Sequence, residues 1–132
     1  MRRRVQEARV GRMATVRPDG SPHVVPIVYA LDEDRLYSAV DEKPKTTPRL
    51  QRLRNIANEP RVEVLVDEYT DDWRRLWWVR LSGRARVLHD GPEHDAGWAL
   101  LAAKYEQYRD ATPEAVMVVE IDRWKGWSYA VG

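Results

Sequence analysis

A run of basic residues followed by a helix is the part of the sequence best suited to bind an anion. The segment 43–54 contains five cations and no acid. Lys43 and Lys45 precede the predicted helix, and Thr46 or Thr47 would cap it. The first amides of a helix lack partners and carry the positive end of its dipole, and threonine hydroxyls add donors. Together these groups predict a phosphate or carboxylate site, although a solvated basic helix would have the same composition.

Two adjacent tryptophans, Trp77 and Trp78, stand at the start of a predicted strand. Successive side chains on a strand point to opposite faces, so both rings cannot enter the same interior. We expect one ring in the core and the other over a planar ligand or a second subunit.

Other chemistries find no support in the sequence. The chain has no cysteine, which excludes disulfides, thiolate nucleophiles and zinc–thiolate sites. His23, His89 and His94 lack the spacing of metal ligands, so we predict no metal site. The motifs of Rossmann cofactor binding, P-loops and hydrolase nucleophile elbows are absent from the sequence.

The composition is that of a folded domain, and we expect residues 1–132 to form a single one. Apolar residues make up 43% and charged residues 33% of the chain, with a net charge of +1. Such a charge gives no general attraction to nucleic acid or anionic lipid. We find neither a signal peptide nor an apolar run long enough for a membrane span, so we expect a cytoplasmic protein without nucleic-acid or membrane partners.

Hydrophobic periodicity predicts six strands and two helices. The strands are expected at 10–17, 23–31, 35–41, 62–67, 79–87 and 117–129, and the helices at 46–58 and 92–105. The second strand is apolar on both alternations, which predicts burial on both faces, while Pro26 within it predicts a sheet edge, a bulge or a ligand contact. Short turns favour antiparallel neighbours. The expected fold is mainly β, a six-stranded antiparallel barrel with helices at its mouth and flank.

Several short blocks of sequence also carry a resemblance to a known family. The blocks are Ala14–Pro26, Leu36–Ser38, Lys43–Thr46, Asn58–Val62 and Gly83–Ala85. They resemble the FMN-binding split barrels, the flavin and deazaflavin proteins related to pyridoxamine phosphate oxidase, and the similarity extends over residues 8–129. The stretch from Asp72 to Arg80 resembles the actinobacterial branch that is assigned to coenzyme F420, a deazaflavin.

The resemblance implies a homodimer with two cofactors in grooves between the subunits. In that family the strand that contains the match to Ser38 lines the ring, basic residues and threonines hold the phosphate, and an aromatic residue lies near the ring. The implied cofactor-binding residues are Ser38, Lys43, Lys45, Thr46, Thr47, Arg49, Trp77 and Trp78. No residue is assigned a catalytic role.

The implied activity is that of an F420-dependent oxidoreductase, which moves a hydride between its cofactor and a small unsaturated or carbonyl substrate. The alternative cofactor is FMN, in an enzyme like pyridoxamine phosphate oxidase. The additional carboxylates of a deazaflavin tail, however, would suit the surplus of arginines, which are Arg2, Arg3, Arg4, Arg52 and Arg54. A non-catalytic module that binds a flavin or a haem-like ligand is a further alternative. An RNA-binding barrel is a third, against which the small net charge argues.

Overall fold

The structure is a computed structural model that describes residues 1–40 and 47–129, with the side chains of 47–50 left out. The residues described form seven strands and three α-helices. The strands are β1 (Gly11–Val16), β2 (Pro22–Ile27), β3 (Ala30–Asp32), β4 (Arg35–Val40), β5 (Arg61–Glu68), β6 (Trp77–Leu88) and β7 (Ala115–Ser128). The helices are α1 (Arg2–Glu7), α2 (Thr47–Asn58) and α3 (Pro92–Lys104), with single 3-10 turns at Trp73–Arg75 and Glu106–Tyr108.

The strands form one antiparallel sheet in the order β2-β1-β5-β6-β7-β4-β3. The two edge strands, β2 and β3, are separated by only Val28 and Tyr29. The chain therefore brings the two edges of the sheet together, while the described strands show no ladder between them. The sheet curls into a split barrel, and we call the place where its edges meet the seam.

The predicted fold class is confirmed. The described residues form seven strands instead of the predicted six, because the predicted strand 23–31 is split at the seam into β2 and β3. The Tyr29 amide donates to the hydroxyl of Tyr105 at 3.2 Å instead of entering a strand ladder. Pro26 lies on an edge strand, as predicted. The expected burial of this run on both faces is not found in the single chain, because Val24 on the outer face of β2 is 61% exposed.

The barrel is filled by the inward side chains of the strands, and a second apolar cluster lies under α3. Met117 and Val119 of β7 point into the barrel, whereas Val116 and Val118 pack with Trp98 and Leu101 of α3. The first part of β7, residues 115–119, is thus buried on both faces, which contributes roughly 1.5–3 kcal/mol for each large apolar side chain removed from water. α3 therefore packs against this part of β7.

Polar contacts hold the helices against the sheet. Glu93 in the first turn of α3 accepts two hydrogen bonds from Arg86, of 2.8 and 2.9 Å. The carbonyl of Val5 in α1 accepts a 2.6 Å bond from the Tyr29 hydroxyl. None of the helices in the described ranges combines the length and apolar character that crossing a bilayer requires.

Candidate functional site

A pocket of about 480 Å³ opens beside the seam, and we call it the seam pocket. Its walls include Pro26 and Ile27 at the end of β2, the following Val28, Ser38 and Ala39 from β4, and Arg52 from α2. The regular ladder is interrupted here, because the chain leaves one sheet edge and enters the other. A volume of this size falls within the range of about 300–1,000 Å³ that small-molecule sites occupy.

Ser38 is the one predicted cofactor-binding residue whose described side chain lies in this pocket. It is 1% exposed, and its hydroxyl donates a 2.8 Å hydrogen bond to the carbonyl of Val28. The bond ties β4 to the seam and fixes the direction of the hydroxyl. The Ser38 oxygen can still accept a hydrogen bond from a ligand.

Arg52 brings a positive charge into the same pocket. Only 6% of this residue is exposed, and it shares the inner face of α2 with Asn55 and Ile56, which follow it at helical spacing. A guanidinium in a sheltered pocket favours an anionic ligand and can bind a carboxylate or phosphate through two parallel N–H groups. The sequence did not predict the burial of Arg52, because arginine side chains are mostly exposed in folded proteins.

His23 adds no competing charge near Arg52. Burial, followed by the charges of Arg17 and Arg52, lowers the pKa of the His23 ring. Its Nδ1 is buried, and no described group lies within hydrogen-bonding reach of it. A pKa below its ordinary value favours the neutral imidazole at physiological pH.

The remaining residues of the predicted phosphate site fall outside the described side chains. Lys43, Lys45 and Thr46 belong to the segment 41–46, outside the described residues, and only the backbone of Thr47 and Arg49 in α2 is described. In sequence these residues stand between Ser38 and Arg52, both of which line the seam pocket.

The two tryptophans occupy opposite faces of β6, as the strand pattern predicts. Trp77 is 7% exposed and packs in the barrel core. Trp78 is half-buried on the outer face, where the Arg80 guanidinium lies 5.4 Å from its ring centre. Neither ring is among the described residues of the seam pocket. A single chain thus does not bring either tryptophan to Ser38 and Arg52.

The described histidines and acids show no cluster of three or more that could hold a metal ion. His94, the most buried histidine, has both ring nitrogens engaged, by the Glu114 carbonyl at 2.6 Å and by Asp95 Oδ1 at 3.1 Å. The carbonyl of Glu114, followed by Asp95, raises the pKa of this ring. His94 therefore fastens α3 to the start of β7.

Comparison with known proteins agrees with this architecture. A protein of Streptomyces rimosus, named 5a,11a-dehydrotetracycline/5a,11a-dehydrooxytetracycline reductase, is 36% identical over 82 residues, or 61% of this chain. The match spans 56% of the length of that relative.

Solved structures share the fold over almost the whole chain. A FAD-binding protein from Mesorhizobium loti has a TM-score of 0.69 at 27% identity, with 95% of this chain and 89% of that one covered. A haem-binding protein from Mycobacterium smegmatis has a TM-score of 0.76 at 21% identity, covering 96% of this chain and 52% of that one, and is similar in fold alone. The sequence profile described as pyridoxamine 5′-phosphate oxidase matches residues 1–128. With that match and the FMN-binding split-barrel fold, the chain belongs to the pyridoxamine 5′-phosphate oxidase family.

Proposed function

We propose that the protein is an oxidoreductase that binds a flavin-type cofactor, preferentially coenzyme F420, in the seam pocket and reduces a small unsaturated or carbonyl-bearing substrate. The observation that carries the proposal is the convergence of the buried Arg52 and the oriented Ser38 on one ligand-sized pocket. The relative named as a reductase and membership in the family support the same class of reaction.

The described residues fit a flat ring with an anionic tail. Pro26, Ile27 and Val28 give the pocket an apolar wall, while Arg52 provides the cation that such a tail requires. When bound, the cofactor supplies the hydride chemistry. The protein binds and orients the cofactor and excludes water from the pocket.

Each polar residue then has a distinct role. Arg52 binds the anionic tail, together with Lys43, Lys45, Thr46, Thr47 and Arg49 of the adjoining segment and helix. Ser38 orients one edge of the ring while its own hydroxyl is held by Val28. Glu114 and Tyr108 also line the pocket, but we assign proton transfer to neither of them, and the proton comes from solvent in this proposal.

The proposal includes a homodimer that completes the site. The outer face of β2, β1, β5 and β6 carries large apolar side chains that the chain itself leaves exposed, among them Val24 and Leu65, at 61% and 38%. Trp78 lies on the same face. In a dimer built on this face, we propose that Trp78, rather than the core residue Trp77, covers a cofactor ring.

FMN is the second candidate cofactor, favoured by the similarity to a protein described as FAD-binding. The preference for the deazaflavin rests on the resemblance of the stretch from Asp72 to Arg80 and on the surplus of arginines. A fluorescence titration with each cofactor at equal ionic strength tests the preference. Tighter binding of FMN would reverse it.

Substitution of the cations tests the site itself. Loss of one charge-assisted contact in Lys45→Ala or Arg52→Gln should weaken cofactor binding by about 1.5–3 kcal/mol, or roughly ten- to a hundredfold. Arg84→Ala is the control, because it removes one exposed cation on β6 that does not line the seam pocket. A thermal melt of each variant separates lost binding from lost folding.

Two outcomes would contradict the proposal. Unchanged affinity in both Lys45→Ala and a folded Arg52→Gln would place the site elsewhere. Tight binding without reduction of any member of a panel of enones and quinones would instead favour a module that carries a flavin or a haem-like ligand.

A further inference from the structure

A second cavity, of about 690 Å³, is lined in part by residues of α1 and shares Val10 with the seam pocket. We call it the arginine cleft, because five arginines line it: Arg4, Arg9, Arg12, Arg74 and Arg75. Three acids also line it. The cleft therefore has an excess of positive charge in a protein whose overall charge is only +1.

Three of the five arginines already have acidic partners. Arg12 lies 3.8 Å from Asp67, and Arg75 lies 2.8 Å from Glu68. Arg74 pairs with Asp72 at 3.0 Å. These pairs neutralise much of the charge at one end of the cleft.

The other two, Arg4 and Arg9, lie over aromatic rings. The Arg4 guanidinium is 5.7 Å from the ring centre of Trp77, and that of Arg9 is 4.6 Å from the ring centre of Tyr105. Among the described residues neither has a carboxylate within ion-pair distance. The excess charge of the cleft is concentrated in these two side chains.

Contact of a guanidinium with a ring can use its flat face, which leaves its N–H edges available. It also restricts the side chain before any ligand arrives, which reduces the entropy lost on binding. A pair of oriented guanidinium groups is suited to the planar, two-oxygen geometry of a carboxylate or to a phosphate.

We propose that the arginine cleft is a second ligand site, which binds a small molecule bearing a carboxylate or a phosphate through Arg4 and Arg9. The site stands on its own residues and does not depend on which cofactor, if any, occupies the seam pocket. Since Val10 lines both cavities, a ligand in the cleft lies next to the seam pocket.

Isothermal titration of the purified protein with citrate and with inorganic phosphate, at constant ionic strength and without cofactor, tests this site. We expect a dissociation constant below about 1 mM for at least one anion. The double variant Arg4→Gln/Arg9→Gln should weaken that binding by about tenfold or more. The variant Arg4→Lys keeps the positive charge but lacks the planar guanidinium group. Its loss of anion affinity should be smaller.

The matched control is Arg3→Gln/Arg84→Gln, which removes the same charge outside the cleft. Arg3 is 88% exposed on the same helix as Arg4, and Arg84 is exposed on β6. An equal loss in both double variants would overturn the proposal, since it would reveal attraction by net charge alone. Failure of the parent protein to bind either anion would overturn it as well. If the cleft double variant melts early, Arg9→Gln alone replaces it, because Arg9 is exposed.

Discussion

The amide of Asn55 on α2 donates a 2.9 Å hydrogen bond to the hydroxyl of Thr15 on β1, and both residues are buried. Gln51 donates to the other end of the same amide at 2.7 Å. Arg52 lies on the turn of α2 between these two anchors. The position of the cation in the seam pocket thus depends on a polar contact in the core of the protein.

Loss of this contact should affect both stability and binding. Asn55→Ala leaves the Thr15 hydroxyl without its donor, and we expect the free energy of unfolding to fall by about 1–3 kcal/mol. Binding in the seam pocket should weaken as well, because α2 is held less firmly.

Urea denaturation of Asn55→Ala, Thr15→Val and the double variant measures the interaction free energy between the two residues. Strictly additive effects of the two changes would show that the bond does not hold the helix.

A methyl group at Gly83 should be poorly tolerated. This glycine lies at an irregularity in the pairing of β6 with β7, and an added Cβ would collide with the backbone carbonyl of Glu120. Backbone cannot move aside cheaply, so we expect Gly83→Ala to lower the free energy of unfolding by about 1–3 kcal/mol.

Gly126→Ala on β7 is the control, because its Cβ would meet Val79 at an ordinary 3.4 Å. Equal melting temperatures for the two variants would contradict the prediction.

Lys104 should make the stability of the protein rise with pH in the mildly alkaline range. Burial, followed by the nearby Arg9, lowers the pKa of Lys104 to about 8. Its ammonium group lies 4.2 Å from the ring centre of Tyr29 and has no hydrogen-bond partner among the described residues.

The increase of stability with pH follows from the number of protons bound in the folded and unfolded states. Above the folded pKa of about 8 and below the ordinary value of 10.5, the unfolded chain holds a proton that the folded chain has released, so stability increases with pH. Burial raises the pKa of Tyr29 and of Tyr105, which opposes this trend at still higher pH.

Melting temperatures from about pH 7.5 to about pH 9.5 check the effect. Lys104→Met should flatten the rise, whereas Lys125→Met, a change on an exposed part of β7, should retain it. A parent protein whose stability stays level through this range would argue against a buried Lys104.

A charged residue on the outer face of β2 or β5 should disrupt the proposed homodimer. Val24→Asp and Leu65→Asp each place a carboxylate at an exposed apolar position, where a contact between copies would have to desolvate it. Light scattering during gel filtration should report a shift from the mass of two chains to that of one.

The control for this shift is Ala99→Asp, because Ala99 is exposed on α3, away from that face. A parent protein that already elutes as a monomer would exclude the dimer, and with it the role of Trp78.

Local sequence was sufficient for most of the fold. The alternation of β6 predicted a half-buried strand, and the adjacency of Trp77 and Trp78 predicted one ring on each face, because both depend only on the period of a strand. The division at Val28 and Tyr29 was not predictable in this way. It depends on Tyr105, which lies 76 positions further along the chain and accepts a hydrogen bond from the backbone amide of Tyr29.

Part of the candidate site could be proposed from the sequence. Ser38, which the resemblance implied, lines the seam pocket, and the cations of 43–54 follow the same strand, β4, along the chain. The burial of Arg52 depends on how α2 docks through Asn55, a tertiary contact that charge and periodicity do not report. The role of the segment 41–46 remains a prediction.

The two prolines of β2 have a consequence for the behaviour of the protein at high concentration. A strand at the margin of a sheet offers amide donors on which a foreign strand can add, and repeated addition leads to filaments. Pro22 and Pro26 stand on that outermost strand and have no amide hydrogen to offer. A valine-rich barrel that is open at one seam is thereby protected from polymerising through it.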